Sequence, residues 1–479
     1  MTYTGETFIA LLPELISTVF IMVVLMVGVF MEDSPGLTAT LAAIGALAVF
    51  GSAAGLLIAG FEGDFFGGGF VVDSFGLFFK LIVSGTAFFA VLTAARWSGG
   101  TGDLPEYMTL ILSVVLGAIL LVSIRDLFGI FLAIELATIP SYALVAFDRT
   151  RRESSEGGMK YLLTGVIASS VLLYGMVLIY GVSGSAALSD IAETFTGQLS
   201  PVAILGLVML ISGFAFKLSA APFHFWTPDA YQGAPTSAAA FLSVAPKAAT
   251  FAVLLRILLE GMPEAAPTWT PVMAFLAIVT MFIGNLFALR QRNVRRMLAY
   301  SSVAHSGYIL AAFAALQGQG IATAVEAVLI YSAAYAVMNT GAFLMVDLVG
   351  EESKSFNGLF RTRPALAMCM GVFMAALVGI PPLSGFWGKA WILLAGAQSG
   401  SILVYVVLGA LVVNSVLSVP YYFGIIRNMF FEEPTRDTGS EPEGAGGVKF
   451  AVYVLAIATV LFGLIVGPLS ALTGASGLL

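Results

Sequence analysis

Charge is the scarcest commodity in this sequence. Of its 479 residues only 10% are Asp, Glu, Lys or Arg, while 59% are hydrophobic. A soluble domain carries about 25% charged residues, so the deficit excludes an ordinary soluble globule. Cysteine is almost missing. Cys369 is the only one, which excludes an internal disulfide and any cysteine-held iron–sulfur cluster. The two histidines, His224 and His305, are too few to ligate several haems, so any associated redox chemistry is expected in another chain. No basic patch with interleaved aromatics occurs, which removes nucleic acid as a partner. The first apolar run starts near Phe8 with no basic residue before it. That is a poor signal peptide, and the run is expected to stay as a helix.

What the sequence has instead is apolar runs of roughly 20 residues, the length that spans a bilayer, from end to end. We count fourteen spans: 8–30, 37–60, 71–95, 105–124, 127–147, 160–182, 201–232, 235–259, 270–290, 298–316, 321–347, 365–396, 402–426 and 449–473. The fold expected is an all-α polytopic membrane protein, with a polar linker from Glu432 to Gly447. Lys and Arg orient it. Loops on the side of the first turn hold 15 of the 21 basic residues, among them Arg96, Arg149, Arg295 and Arg436. The opposite loops hold only Arg125 and Arg256. Both termini are therefore expected outside the cytoplasm, in the periplasm of a bacterium.

Four basic residues remain inside spans: Lys80, Lys217, Lys247 and Lys389. A charge at the bilayer centre costs about 2.5–3.5 kcal/mol on insertion scales, so each needs a function, a partner or a route to the interface. Lys80 has no evident acidic partner in the sequence. Lys217 precedes Pro222 and Pro228, and Lys389 follows Pro381 and Pro382. Proline removes a backbone donor and clashes with the preceding turn, so spans seven and twelve should each break. Freed backbone groups at membrane depth are tolerated only inside protein or beside water. Two interrupted spans, five apart, point to an inverted repeat with a transport site, spans four to eight and nine to thirteen. The resulting segments are 1–100, 101–262, 263–430 and 431–479. Glu135 sits among apolar neighbours in the fifth span. Lys247 follows Pro246 midway along the eighth, among small residues that allow close packing. His305 lies in the tenth.

Desolvation disfavours a buried ammonium and a nearby carboxylate restores it. A carboxylate about 7 Å from an ammonium, at an effective dielectric of about 20, interacts by about 2.4 kcal/mol. A change in the separation of Glu135 and Lys217 could thus load or release a proton. Lysine suits the task, because arginine effectively never deprotonates.

These motifs carry a resemblance. Leu12-Pro13-Glu14-Leu15, Lys217 through Ala234-Pro235-Thr236, Arg295-Arg296-Met297-Leu298-Ala299-Tyr300-Ser301-Ser302, and Pro381-Pro382 with Gly385-Phe386 together resemble the antiporter-like subunits of respiratory complex I, the N type of bacterial NADH–quinone oxidoreductase most closely. The resemblance covers essentially the whole chain. It implies fourteen helices in two inverted five-helix repeats, and a hydrophilic axis in the membrane plane. It implies proton transfer through Glu135, Lys217, Lys247, His305 and Lys389, with His224 near a gate beside Lys217 and Lys160 as a sixth-helix bridging lysine. It also implies partner membrane subunits in a bacterial inner membrane. No cofactor is expected in this chain; flavin, iron–sulfur clusters and quinone belong to other subunits. Two other readings compete: a subunit of a multisubunit cation–proton antiporter, and a scaffold whose buried charges only hold helices together. Buried lysines on several separate helices, two of them broken, disfavour the scaffold.

Overall fold

The computed structural model describes residues 5–31, 35–94, 103–434 and 444–465. Arg96, Arg436, most of the polar linker and the end of the last expected span lie outside the described residues. An N-terminal group contains α1 (Gly5–Ala10), α2 (Leu12–Phe30), α3 (Pro35–Ile58) and α4 (Ser74–Ala94). Between α3 and α4 runs an antiparallel hairpin, β1 (Gly63–Phe65) with β2 (Phe70–Val72), in the register Gly63 to Val72. Next come α5 (Leu104–Leu121), α6 (Leu127–Val145), α7 (Arg152–Ser183), α8 (Leu188–Thr194), α9 (Pro201–Lys217), α10 (Trp226–Gly233), α11 (Thr236–Leu242) and α12 (Ala245–Arg256). The remainder is α13 (Ala266–Ala288), α14 (Val294–Ala314), α15 (Ile321–Val349), α16 (Leu359–Thr362), α17 (Pro364–Val378), α18 (Ser384–Gln398), α19 (Ile402–Phe431) and α20 (Gly446–Leu464).

Among the described residues, eleven helical stretches are long and apolar enough to cross a bilayer, and α9 and α17 are shorter apolar helices. A helix satisfies its own backbone where water is missing, and its ends take local partners. Asp126 caps α6 through Gly129 N, Ser200 caps α9 through Ala203 N, and Asn293 caps α14 through Arg296 N, each accepting from an otherwise orphaned donor. Helices α12 and α15 are buried along most of their length, whereas α2, α7 and α19 turn large apolar side chains outward. Ile402 on α19 is 81% exposed, a placement that suits lipid rather than water. The chain is a multi-pass membrane protein. Small residues let α13 and α14 approach closely: a Cβ on Gly284 would meet Ala304 N at 2.4 Å.

Both breaks expected from proline are present, at 218–225 and 379–383. The freed groups are satisfied inside the protein. Ala215 O accepts from Ala220 N at 2.7 Å, Phe216 O from Trp226 Nε1 at 3.3 Å, and Ala221 N donates to Thr280 Oγ1 at 2.9 Å. At the second break Gly379 takes a left-handed φ of 93°, where glycine has no steric penalty. The structure also corrects two expectations. The eighth span is interrupted at Ser243 and Val244, so Lys247 occupies the first turn of α12 rather than the middle of an unbroken helix. Arg256 is not a loop residue: it ends α12, fully buried, and pairs with Asp73 and Glu260. A buried guanidinium needs carboxylates of its own, and two are supplied.

Candidate functional site

Four of the five residues expected to carry protons are buried, and Glu135 is half-buried. Glu135, on α6, accepts a hydrogen bond from Ser169 Oγ on α7 at 2.7 Å. Lys217 Nζ, at the last residue of α9, lies 3.5 Å from Glu135 Oε1 and donates to Thr138 Oγ1 and Ser169 Oγ, both at 3.1 Å. Ser169 therefore bridges base and ammonium. At half the 7 Å assumed above, their Coulomb attraction roughly doubles. The break explains the position: α9 stops at Lys217, and the ammonium gains from the partial negative charge of a helix C-terminus.

Lys247, 3% exposed, donates to Ser302 Oγ at 2.7 Å and lies 3.5 Å from Ser306 Oγ. Both serines are on α14, on the face that also carries His305. A cavity of about 10 Å³, lined by Lys247, His305, Ser306, Ser332 and Tyr335, lies between the lysine and the histidine. That is room for about one water. His305 is held at both nitrogens by tyrosines, Nδ1 to Tyr331 Oη at 2.9 Å and Nε2 to Tyr422 Oη at 3.1 Å. Lys389 Nζ stands 4.5 Å above the Tyr308 ring and donates to Val378 O, the last carbonyl of α17, at 2.7 Å. The second lysine thus also sits at the C-terminal end of a half-helix, although it belongs to the following one.

Between Lys217 and Lys247 runs a row of aromatic rings. Phe216 lies 5.9 Å from Lys217 Nζ, Trp226 lies 5.4 Å from Phe216 and 5.9 Å from Tyr231, and the Tyr231 ring lies 5.7 Å from Lys247 Nζ. His224 falls inside the first break, buried against Phe225, with Nδ1 free of a hydrogen bond among the described residues. Lys160 is set apart from this row. Half-exposed in the third turn of α7, it pairs with Glu156 and with Asp229, both at 2.7 Å, and Asp229 also holds Arg296. Lys80 has the acidic partner that the sequence did not reveal: Glu14 Oε1 at 2.6 Å. No group of three or more His, Cys, Asp or Glu among the described residues is arranged to hold a metal ion.

Sequence reasoning missed Thr138, Ser169, Ser302, Tyr331 and Tyr422. Thr138 was within reach, three residues after Glu135 on one helical face, as was Ser302, three before His305. Ser169 and the tyrosines carry no local signal.

Comparison with known proteins identifies the family. The pattern of the family described as NADH:quinone oxidoreductase/Mrp antiporter, TM, matches residues 125–418, more than half the chain. The NADH-quinone oxidoreductase subunit N of Rubrobacter xylanophilus is 73% identical over 480 residues, covering 100% of each chain. This chain belongs to the NADH-quinone oxidoreductase subunit N family. Among solved structures, a chain of respiratory complex I from Thermus thermophilus superposes with a TM-score of 0.82 at 31% identity, covering 97% of this chain and 100% of that one. A chain of the Mrp complex from Dietzia sp. DQ12-45-1b superposes with a TM-score of 0.86 at 21% identity, covering 99% and 97%. At that identity the likeness shows the fold alone. Subunit N membership thus outweighs the cation–proton antiporter reading: the chain is an antiporter-like, proton-translocating membrane subunit.

Proposed function

We propose that this subunit moves protons along the row Glu135, Lys217, Lys247, His305 and Lys389, as part of a bacterial NADH–quinone oxidoreductase whose other membrane subunits are its partners. Flavin, iron–sulfur clusters and quinone belong to those partners. The chain is read as fourteen helices: a three-helix segment (1–100), inverted repeats (101–262 and 263–430), and a linker with a last helix (431–479), both termini periplasmic. Each repeat contributes one proline-broken span and its lysine.

The observation that carries the reading is Lys247, bonded to Ser302 beside a water-sized cavity that also touches His305. A water placed there would connect the two groups, and Ser332 Oγ, buried without a protein partner among the described residues, would supply an extra polar contact. The proton sits on Lys217 while Glu135 is close, and passes on when that pair separates. His224 lies where the first break could open or close, and serves as the gate. Lys160, tied to Asp229, anchors the half-helix α10 beyond that gate rather than relaying protons.

The test is pumping by the assembled complex in reconstituted vesicles. Lys247→Ala removes the titratable amine and is expected to cut pumping and quinone-linked NADH oxidation at least tenfold. Lys247→Arg keeps the charge but does not release a proton, so it should fail nearly as badly. If packing alone mattered, alanine would be tolerated, since it removes a costly buried charge, and arginine would be harmful through bulk. Near-normal pumping by the alanine variant would sink the relay.

A further inference from the structure

A cleft of about 270 Å³ opens on the arginine-rich loop side, between the start of α14 and the end of α19. Its rim carries Arg292, Arg427 and Asn428; its inner walls include Met297, Tyr421 and Gly424. Arg427 is neutralised by Glu432 at 3.4 Å, and Arg292 is exposed, so water and salt screen both cations. At Gly424 a Cβ would meet no heavy atom within 4 Å. The cleft is open at that point.

Polar groups begin where the cleft ends. Along α14, Met297, Ser301 and His305 follow at intervals of four on one face. The Tyr422 hydroxyl bonds both Ser301 Oγ and His305 Nε2. Its neighbour Tyr421, in the cleft wall, donates to Asn285 Oδ1 at 2.9 Å, and Asn285 Nδ2 donates to Tyr308 Oη at 3.1 Å. Tyr308 is the residue whose ring lies beneath Lys389. From Tyr421 in the cleft wall a hydrogen-bonded line runs to the Tyr308 hydroxyl, and the adjacent Tyr422, fully buried behind that wall, bonds Ser301 and His305. Ser301, Tyr422, Asn285 and Tyr308 are at most 1% exposed. Buried polar groups in an apolar bundle are costly unless each finds a partner, and here the partners form lines running inward.

We propose that this cleft is an aqueous access route for protons into the second repeat, with Tyr422 as the proton-passing residue at its inner end. The proposal rests on the relay reading above. The step leaves no charge on tyrosine. Its hydroxyl oxygen accepts the proton of Ser301 Oγ, which takes a replacement from water entering by the cleft, and releases its own proton to His305 Nε2, while His305 Nδ1–H bonds Tyr331. One O–H bond forms as another breaks, and the imidazole becomes imidazolium until it discharges toward Lys247 or Lys389.

The experiment uses the whole complex in vesicles, in a Cys369→Ser background, with assembly checked on native gels and Lys247→Ala measured alongside. Gly424→Leu fills the cleft without touching the hydroxyl chain, and should lower protons pumped per NADH oxidised severalfold. Gly424→Cys should pump normally until a membrane-impermeant, cationic thiol reagent is added on the arginine-rich side, and then fall to the same level. Tyr422→Phe keeps the ring and removes only the hydroxyl, and should slow pumping with assembly intact. A hydroxyl acting merely as structural glue between helices would lower thermal stability and leave the pumping ratio unchanged. Normal pumping by Gly424→Leu and by the modified Gly424→Cys, with Lys247→Ala inactive, overturns the access route and leaves the relay standing. Normal pumping by Lys247→Ala overturns both.

Discussion

At the scale of single residues, Lys80 and Glu14 isolate the physics of a buried charge. Lys80 is fully buried and Glu14 is 5% exposed, 2.6 Å apart, in the N-terminal helices away from the relay. The lysine was legible in the sequence as an anomaly, but its partner was not, since the two are 66 residues apart. Breaking a buried pair from one side costs about 3–5 kcal/mol, while replacing both partners by apolar groups of similar volume is often neutral. Lys80→Met alone is therefore expected to lower the thermal inactivation temperature of the solubilised complex markedly. Lys80→Met combined with Glu14→Leu should restore most of the loss. Equal losses in the single and the double variant would mean that the pair is not what these residues contribute. Lys160 marks the opposite limit: with its side chain 46% exposed, its ion pairs are worth about 0–1 kcal/mol, and position matters more than energy.

At the scale of elements, the second break depends on backbone approaching backbone. A Cβ on Gly385, in the first turn of α18, would come within 1.9 Å of Ala376 O on α17. A Cβ on Gly463, in α20, would come within 1.9 Å of Pro382 O in the break itself, where Trp387 Nε1 also donates to Gly463 O at 2.7 Å. Carbonyls fixed by two half-helices cannot move aside as a flexible side chain would, and overpacking of this kind costs about 1–3 kcal/mol or more. Gly385→Ala and Gly463→Ala should each reduce the assembled complex on native gels. Gly409→Ala on α19, where a Cβ meets nothing within 4 Å, should assemble normally. Loss of assembly in all three would point to helix propensity or insertion rather than to contact at the break. The prolines announced where the helices stop; they did not announce that a third helix seals one of the breaks.

At the scale of the whole molecule, charged contacts tie distant loops together on one side. Glu351 forms ion pairs with Arg151 at 3.3 Å and with Arg295 at 3.2 Å, and a β-bridge joins Asn293 to Glu352. Segments 150–156 and 352–358 therefore share a side of the membrane, as the segregation of Lys and Arg along the chain requires. Thr150→Cys and Glu352→Cys, in a Cys369→Ser background, are expected to react with an impermeant thiol reagent only in vesicles that expose the cytoplasmic face. Reaction of either in right-side-out vesicles would refute the orientation and the span count together.

The sequence by itself determined the class of protein, the location of both proline breaks and the burial of four lysines, Lys80, Lys217, Lys247 and Lys389. Those follow from local costs: a charge in the bilayer and a proline in a helix are expensive wherever they occur, so they can be read one residue at a time. Tertiary structure alone decided the partners. Ser169 between Glu135 and Lys217, Glu14 against Lys80, and the tyrosines at both nitrogens of His305 are meetings of segments far apart in the chain. The interruption before Lys247 and the burial of Arg256 were likewise decided by packing, because hydrophobic periodicity records which face of a helix is buried and not which atom waits on the other side.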